Sequence, residues 1–205
     1  MITGILVAVT VVVSLVAFRN QEFFSRLDLA PARVVHKGEY HRLFSHALLH
    51  ADYVHLGINM LVLFSFGRGV ESIFQELEAQ GVIFSWVFFY LLLYVAGVVL
   101  SSVSTVARHR NDPEYSSIGA SGAVSAVIFT YIFFAPLQKI YFYAVLPLPG
   151  IVFGILYLIY SSVMDRRSKD NVNHEAHFWG AVVGFVFPLF LDPHLIRHFI
   201  QQLLP

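Results

Sequence analysis

The 205-residue chain has no cysteine, and charge is scarce: 13 Lys and Arg against 13 Asp and Glu make up only 13% of it. Lack of cysteine excludes disulfides, a thiolate nucleophile and cysteine-ligated zinc or iron-sulfur clusters. Lack of a positive excess excludes a nucleic-acid binder working by charge, because no field is left to gather phosphates. The charged fraction is about half that of a water-soluble domain, too little to clothe a water-facing surface. What is present is apolar: 57% hydrophobic residues, with 20 Phe and 10 Tyr and a mean hydropathy of +0.69. These values predict a polytopic membrane protein.

A transmembrane helix needs about 20 mostly apolar residues to cross roughly 30 Å of hydrocarbon. Six stretches fit: 2–18, 53–70, 82–104, 117–136, 140–164 and 174–191. The first lacks the basic n-region and small-residue cleavage site of a signal peptide, so it is expected to stay as a helix. The fifth contains Pro147, Pro149 and Gly150, which should kink or break its first half. Between the first two stretches lies a long connection, Arg19 to Asp52, rich in apolar residues and expected to be folded at the interface. The tail from Asp192 spaces Leu195, Ile196, Phe199, Ile200 and Leu203 as a short interfacial helix. The predicted fold is all-α: one six-helix transmembrane domain over residues 1–205 with a long folded first loop. No internal repeat or second domain is present.

Lys and Arg number 5, 2 and 3 in the first, third and fifth connections, against 1 each at the end of the second stretch (Arg68), in the fourth connection and in the tail. By the positive-inside rule this charge-rich side faces the cytoplasm and the N-terminus lies outside.

Polar groups inside membrane helices are costly and mark function. The second stretch carries His55 and Asn59, the fourth Ser121 and Ser125, and the sixth begins with His174, Glu175 and His177. Even-numbered helices cross in one direction, and these residues occupy the first turns, so three distant clusters can meet near one membrane face. His55 and Asn59, at i and i+4, aim the same way. Ser121 lies in GASG between Gly119 and Gly122, and Gly122 with Ala126, like Gly180 with Gly184, forms a small-residue stripe suited to close helix contact. A serine hydroxyl needs a base to take its proton, and imidazole is the usual one. The set therefore reads as Ser121 nucleophile and His177 base, with His55, Asn59 and the Ser121 N–H available to an oxyanion. No embedded Asp is placed to orient His177, so this is a dyad. A metal or haem site built from His174, His177 and His55 would leave GASG and Asn59 unexplained, so no metal is expected. Glu175 is expected to be solvated, and His46 and His50 to shape the loop.

The chain resembles the rhomboid intramembrane serine proteases through HADYVHLGINM, GASG and AHFWGAVVG, in order and across the whole six-helix core. The resemblance implies a Ser121–His177 dyad, oxyanion stabilisation by His55 and Asn59, and hydrolysis of transmembrane segments of other proteins within a lipid bilayer. It implies no cofactor and no nucleic-acid partner. The implied setting is a prokaryotic plasma (inner) membrane, with the N-terminus in the cytoplasm, opposite to the charge count. A catalytically inactive relative that binds transmembrane helices is the alternative. Arg42 and Glu71 match structural residues of the family, expected together to fix loop and helix ends. Two positions depart from the pattern. The family's Trp before Arg42 is His41, and the aromatic it often has four residues after the nucleophile, packed on the base, is Ser125.

Overall fold

The computed structural model describes residues 2–142, 145–167 and 172–204. The first helix, α1 (Ile2–Ala17), is followed by short helices α2 (Gln21–Leu27), α3 (Pro31–Lys37) and α4 (Arg42–Ser45) and a 3-10 turn over His46–Leu48. Two long helices come next, α5 (Tyr53–Ala79) and α6 (Trp86–His109), then α7 (Ser121–Phe134). Strands β1 (Lys139–Phe142) and β2 (Leu146–Pro149) precede α8 (Gly150–Arg167), α9 (His174–Leu191) and α10 (Leu195–Leu203). Each predicted span thus contains a helix, and α10 falls where the amphipathic tail placed it.

Three of the helices, Tyr53–Ala79, Trp86–His109 and His174–Leu191, are long and apolar enough to cross a membrane, while Ile2–Ala17 and Ser121–Phe134 are shorter apolar helices. Helix starts follow from capping: the Asp52 side chain accepts the His55 N–H at 2.8 Å and Asn173 accepts that of Ala176 at 3.0 Å.

Several boundaries differ from expectation: α5 runs to Ala79 rather than 70, and α6 covers Trp86–His109 rather than 82–104. The fourth helix starts at Ser121 rather than 117, and the fifth at Gly150 rather than 140. Residues assigned to the fifth helix form an antiparallel pair with Lys139 opposite Pro149 and Tyr141 opposite Pro147. Pro147 and Pro149 lack the N–H that a helix interior requires, whereas a two-stranded ribbon has outward-facing positions that need no donor. The fold is all-helical as expected, and this hairpin is a local departure within the fifth predicted stretch.

Helix α7 is the centre of the bundle. Eleven of its residues, from Gly122 to Phe133, are buried, and α5, α6 and α9 pack around it. A helix apolar on every side belongs inside a bundle rather than at its surface. Helices α7 and α9 run parallel and very close. A β-carbon on Gly180 would lie 2.2 Å from the Gly122 carbonyl oxygen, and one on Gly184 would lie 2.0 Å from that of Ala126. The two small-residue stripes read from the sequence therefore face one another. Antiparallel α6 fits its Gly97 against Ala123 and Ala126 and its Ser101 against Gly122.

The connection from 18 to 52 is folded around Arg42, which is 1% exposed. Its guanidinium donates to the Asp28 carbonyl at 2.7 Å and carboxylate at 2.5 Å, to Glu39 at 2.6 Å and to the Ser25 carbonyl at 3.0 Å. Buried guanidinium is stable only with such a complete set of acceptors. Glu71 is not among them. It accepts the Thr3 N–H at 2.7 Å, satisfying an orphan donor at the start of α1. The expected joint role of Arg42 and Glu71 is thus two separate ones, a loop core and a helix cap. His41 ties the loop through its ring nitrogen to the Arg26 carbonyl at 3.0 Å, a polar anchor where the family pattern has an apolar one.

Candidate active site

Helices α5, α7 and α9 all begin at the same end of the bundle, because Gly69 on α5 meets Tyr131 on α7 while His55 meets Gly119. Ser121 is the first residue of α7. Just before it Gly119 has φ of +115°, open to glycine and strained for other residues. A β-carbon there would lie 3.3 Å from His55 Cε1, 3.5 Å from His55 Nε2 and 3.8 Å from Ser121 Oγ. The His55 imidazole and the Ser121 hydroxyl therefore border one small space, floored by backbone that carries no side chain. One turn into α5, Asn59 is buried and donates one amide proton to its own helix, at the His55 carbonyl, 3.0 Å. Its second N–H remains for another acceptor.

His177 lies one turn before Gly180 on α9, so the Gly122–Gly180 contact sets it beside the first turn of α7. Its ring lies 5.9 Å, edge-on, from that of the buried His174. The Tyr157 ring of α8 lies 6.3 Å from it at an interplanar angle of 22°. The Tyr157 hydroxyl is 2.6 Å from Ser125 Oγ. The aromatic that the family pattern places four residues after the nucleophile is thus supplied by another helix. Nothing in local spacing identifies Tyr157; the small Ser125 was the only clue that a ring had to come from elsewhere.

The loop before Ser121 is stitched to the first loop. Leu29 and Ser117 exchange backbone hydrogen bonds of 2.9 and 3.0 Å, and the Gly119 N–H donates to the His46 carbonyl at 3.0 Å. Asn173, which caps α9, also donates to Ser117 Oγ at 3.2 Å and to Thr105 Oγ1 at 3.0 Å. Behind Ser121 a cavity of about 10 Å³ is lined by His46, Ser101, Ser102, Ser117 and Asn173 among others, the size and polarity that hold one water. Ser117, Asn173 and Thr105 were not singled out in the sequence, since each is an ordinary polar residue until its partners are known.

At the same end Arg108 pairs with Asp165 at 3.2 Å and with Glu175 at 3.0 Å, joining α6, α8 and α9. Glu175, expected to be solvated, is instead a partner in this network. Burial pushes the His46 and His50 imidazoles in the loop down to about 4, so both are neutral at pH 7. His50 contacts the Ser14 hydroxyl at 3.0 Å, and its ring lies 5.0 Å from that of His55. No group of three or more His, Asp or Glu arranged for a metal is found among the described residues.

The rhomboid domain family model matches residues 37–193, which include His55, Asn59, Ser121 and His177. The chain belongs to the rhomboid family. It is 27% identical over 182 residues to RHOMBOID-like protein 12, mitochondrial, of Arabidopsis thaliana, covering 82% of this chain and 51% of that protein. It is 27% identical over 176 residues to Rhomboid-related protein 1 of Caenorhabditis elegans, 82% of this chain and 44% of that one. It is 25% identical over 152 residues to Rhomboid protease GluP of Bacillus subtilis (strain 168), 74% of this chain and 26% of that protein. The chain thus spans about half or less of the length of these relatives. They come from a plant, an animal and a bacterium, and one is named mitochondrial, so they do not single out the expected prokaryotic plasma membrane. A membrane protein of the rhomboid family is what they support.

Proposed function

We propose that the chain is an intramembrane serine endopeptidase that hydrolyses peptide bonds in or near transmembrane segments of other membrane proteins. Helices α1, α5, α6, α7, α8 and α9 serve as its six spans. The observation that carries the reading is the close contact of α7 with α9, which sets the Ser121 and His177 turns side by side with His55 against Gly119.

In this reading Ser121 Oγ attacks the scissile carbonyl carbon and its proton passes to the His177 imidazole. The carbonyl oxygen becomes an oxyanion, met by the free N–H of Asn59, the His55 ring and the Ser121 backbone N–H. Collapse breaks the C–N bond, and the amine leaves with the proton from His177. A water, deprotonated by His177, then hydrolyses the ester on Ser121 and restores the hydroxyl. A helical substrate hides its carbonyls in its own hydrogen bonds, so local unwinding precedes attack, and helix-weakening residues mark good substrates.

The N-terminus is assigned to the cytoplasm despite the charge count. The assignment follows the family resemblance; half of the ten charges on the charge-rich side lie in the first loop, which is folded around Arg42 with Arg26, Arg33 and Arg42 in ion pairs. An N-terminal tag protected from protease in sealed cells checks this assignment.

The deciding experiment is cleavage of a generic transmembrane substrate by the purified full chain in detergent, comparing wild type with Ser121→Ala and His177→Ala. Cleavage by wild type and by neither variant is expected. Wild type that binds such substrates without cutting them would overturn the reading in favour of a helix-binding, inactive rhomboid.

A further inference from the structure

The base of the dyad is held from an unexpected direction. On α7 the position one turn after Ser121 is Ser125, which is 2% exposed and too small to reach His177. Its hydroxyl instead bonds that of Tyr157 at 2.6 Å. Tyr157 is wedged between the rings of Phe129, at 5.6 Å, and Phe153, at 6.0 Å, and stacks on His177 at 6.3 Å. One turn further along α8, Tyr160 sets its ring edge-on to His174 at 5.6 Å. Helix α8 therefore presents two tyrosines, three residues apart, to the two histidines that open α9.

An imidazole turns readily about its terminal side-chain bond, and its use as a base depends on which way its nitrogens point. A flat ring packed against it limits that rotation; the Ser125 bond in turn fixes the far end of the Tyr157 side chain, and the Phe129 and Phe153 rings flank it. We propose that Tyr157 is the positioning residue for His177. Because Tyr157 rides on α8 rather than on the nucleophile's own helix, this support of the base lasts while α8 is seated against α7 and α9. Catalytic readiness is then coupled to the docking of a helix that bears neither member of the dyad. A rhomboid with its aromatic on the nucleophile helix has no such coupling. This inference rests on the proposed endopeptidase reading for its kinetic consequence, while the side-chain arrangement is testable without it.

The test moves the ring back. Tyr157→Ala is compared with Tyr157→Phe and with the double variant Ser125→Tyr/Tyr157→Ala, each as the full chain in detergent. Tyr157→Ala is expected to lower kcat roughly 10- to 100-fold with KM unchanged, the signature of a misplaced catalytic group. Tyr157→Phe keeps the ring and should stay within about 3-fold of wild type, and the double variant should recover to a similar level. If Tyr157→Ala does not fold, Tyr157→Leu, which keeps bulk without a flat ring, replaces it in the same comparison.

The second readout is the His177 Cε1–H resonance in histidine-labelled protein, assigned by its loss in His177→Ala. Its ring-current displacement should vanish in Tyr157→Ala and return in the double variant. This holds whether or not wild type cleaves, so an inactive wild type would sink the endopeptidase reading and leave this inference standing or falling by itself. Full kcat in Tyr157→Ala, a folded double variant with no recovery, or an unmoved His177 resonance would each overturn it.

Discussion

The carbonyl of His46 in the first loop accepts the amide of Gly119 at 3.0 Å, two residues before the proposed nucleophile. With the Leu29–Ser117 pair, it makes the first loop a wall of the site rather than a tether between helices. Gly119 is tied to that wall in a positive-φ conformation, and this governs the first expected outcome.

Gly119→Ala should abolish most cleavage while leaving a folded protein. The added methyl meets His55 at 3.3 Å in a backbone conformation that L residues rarely adopt. Cleavage rate and melting temperature, measured together, check this. A variant that stays within about 3-fold of wild-type rate refutes a tight fit at this point.

Gly184→Ala should strike stability first. Its methyl would lie 2.0 Å from the Ala126 carbonyl oxygen, so two backbones must part. Overpacking of this kind costs about 1–3 kcal/mol, a drop of several degrees in melting temperature. An unchanged melting temperature would contradict the close α7–α9 contact.

Stability should fall as pH drops from about 6.5 towards 4. Unfolded histidines take up protons near pH 6.5, whereas burial holds His46 and His50 to about 4. Between those values the unfolded chain binds more protons, so acid favours it, and full stability is present above the upper value. Glu39, lowered by its hydrogen bond from Arg42, acts in the same sense at more acid pH. Melting temperature across pH 7.5 to 4.5 should show a decline that flattens in His46→Asn. An equal slope in that variant removes His46 as its source.

Asp165→Asn removes one tie that seats the end of α8, the 3.2 Å contact with Arg108. Arg108 is half-exposed, so the pair is worth under about 1 kcal/mol, and kcat should fall only about 2- to 5-fold. In the Ser125→Tyr/Tyr157→Ala background, where the base no longer depends on α8, the same substitution should change nothing. Equal losses in both backgrounds count against coupling through α8.

How much of this was legible in the sequence depended on range. Helices declared themselves by apolar run length, and His174–Leu191 matches its predicted 174–191 span because Asn173 and the apolar run agree on its bounds. Pro147, Pro149 and Gly150 announced a break, but the pairing of β1 with β2 was hidden because Ile140, Phe142 and Leu146 extend an apolar run that reads equally as helix. Ser121, His177, His55 and Asn59 were visible as polar residues in costly places, and the structure gathers them at one end. Tyr157 was not, because a tyrosine among 20 Phe and 10 Tyr says nothing until the ring it faces is known. The separation of Arg42 from Glu71 was equally invisible, since pairing depends on how Asp28 and Glu39 fold around the guanidinium.

Helix α7 has 14 residues, about 21 Å at 1.5 Å per residue, against roughly 30 Å of hydrocarbon. It is enclosed by protein along nearly all of that length and makes almost no contact with acyl chains. In the proposed six-span arrangement, lipids of different chain length would load the helices with exposed apolar faces, α1, α5, α6, α8 and α9, while the segment bearing Ser121 feels them only at second hand. Under the proposed reading the depth of the Ser121 hydroxyl is then set by the protein, and a thicker or thinner membrane changes how far a substrate must sink to reach it.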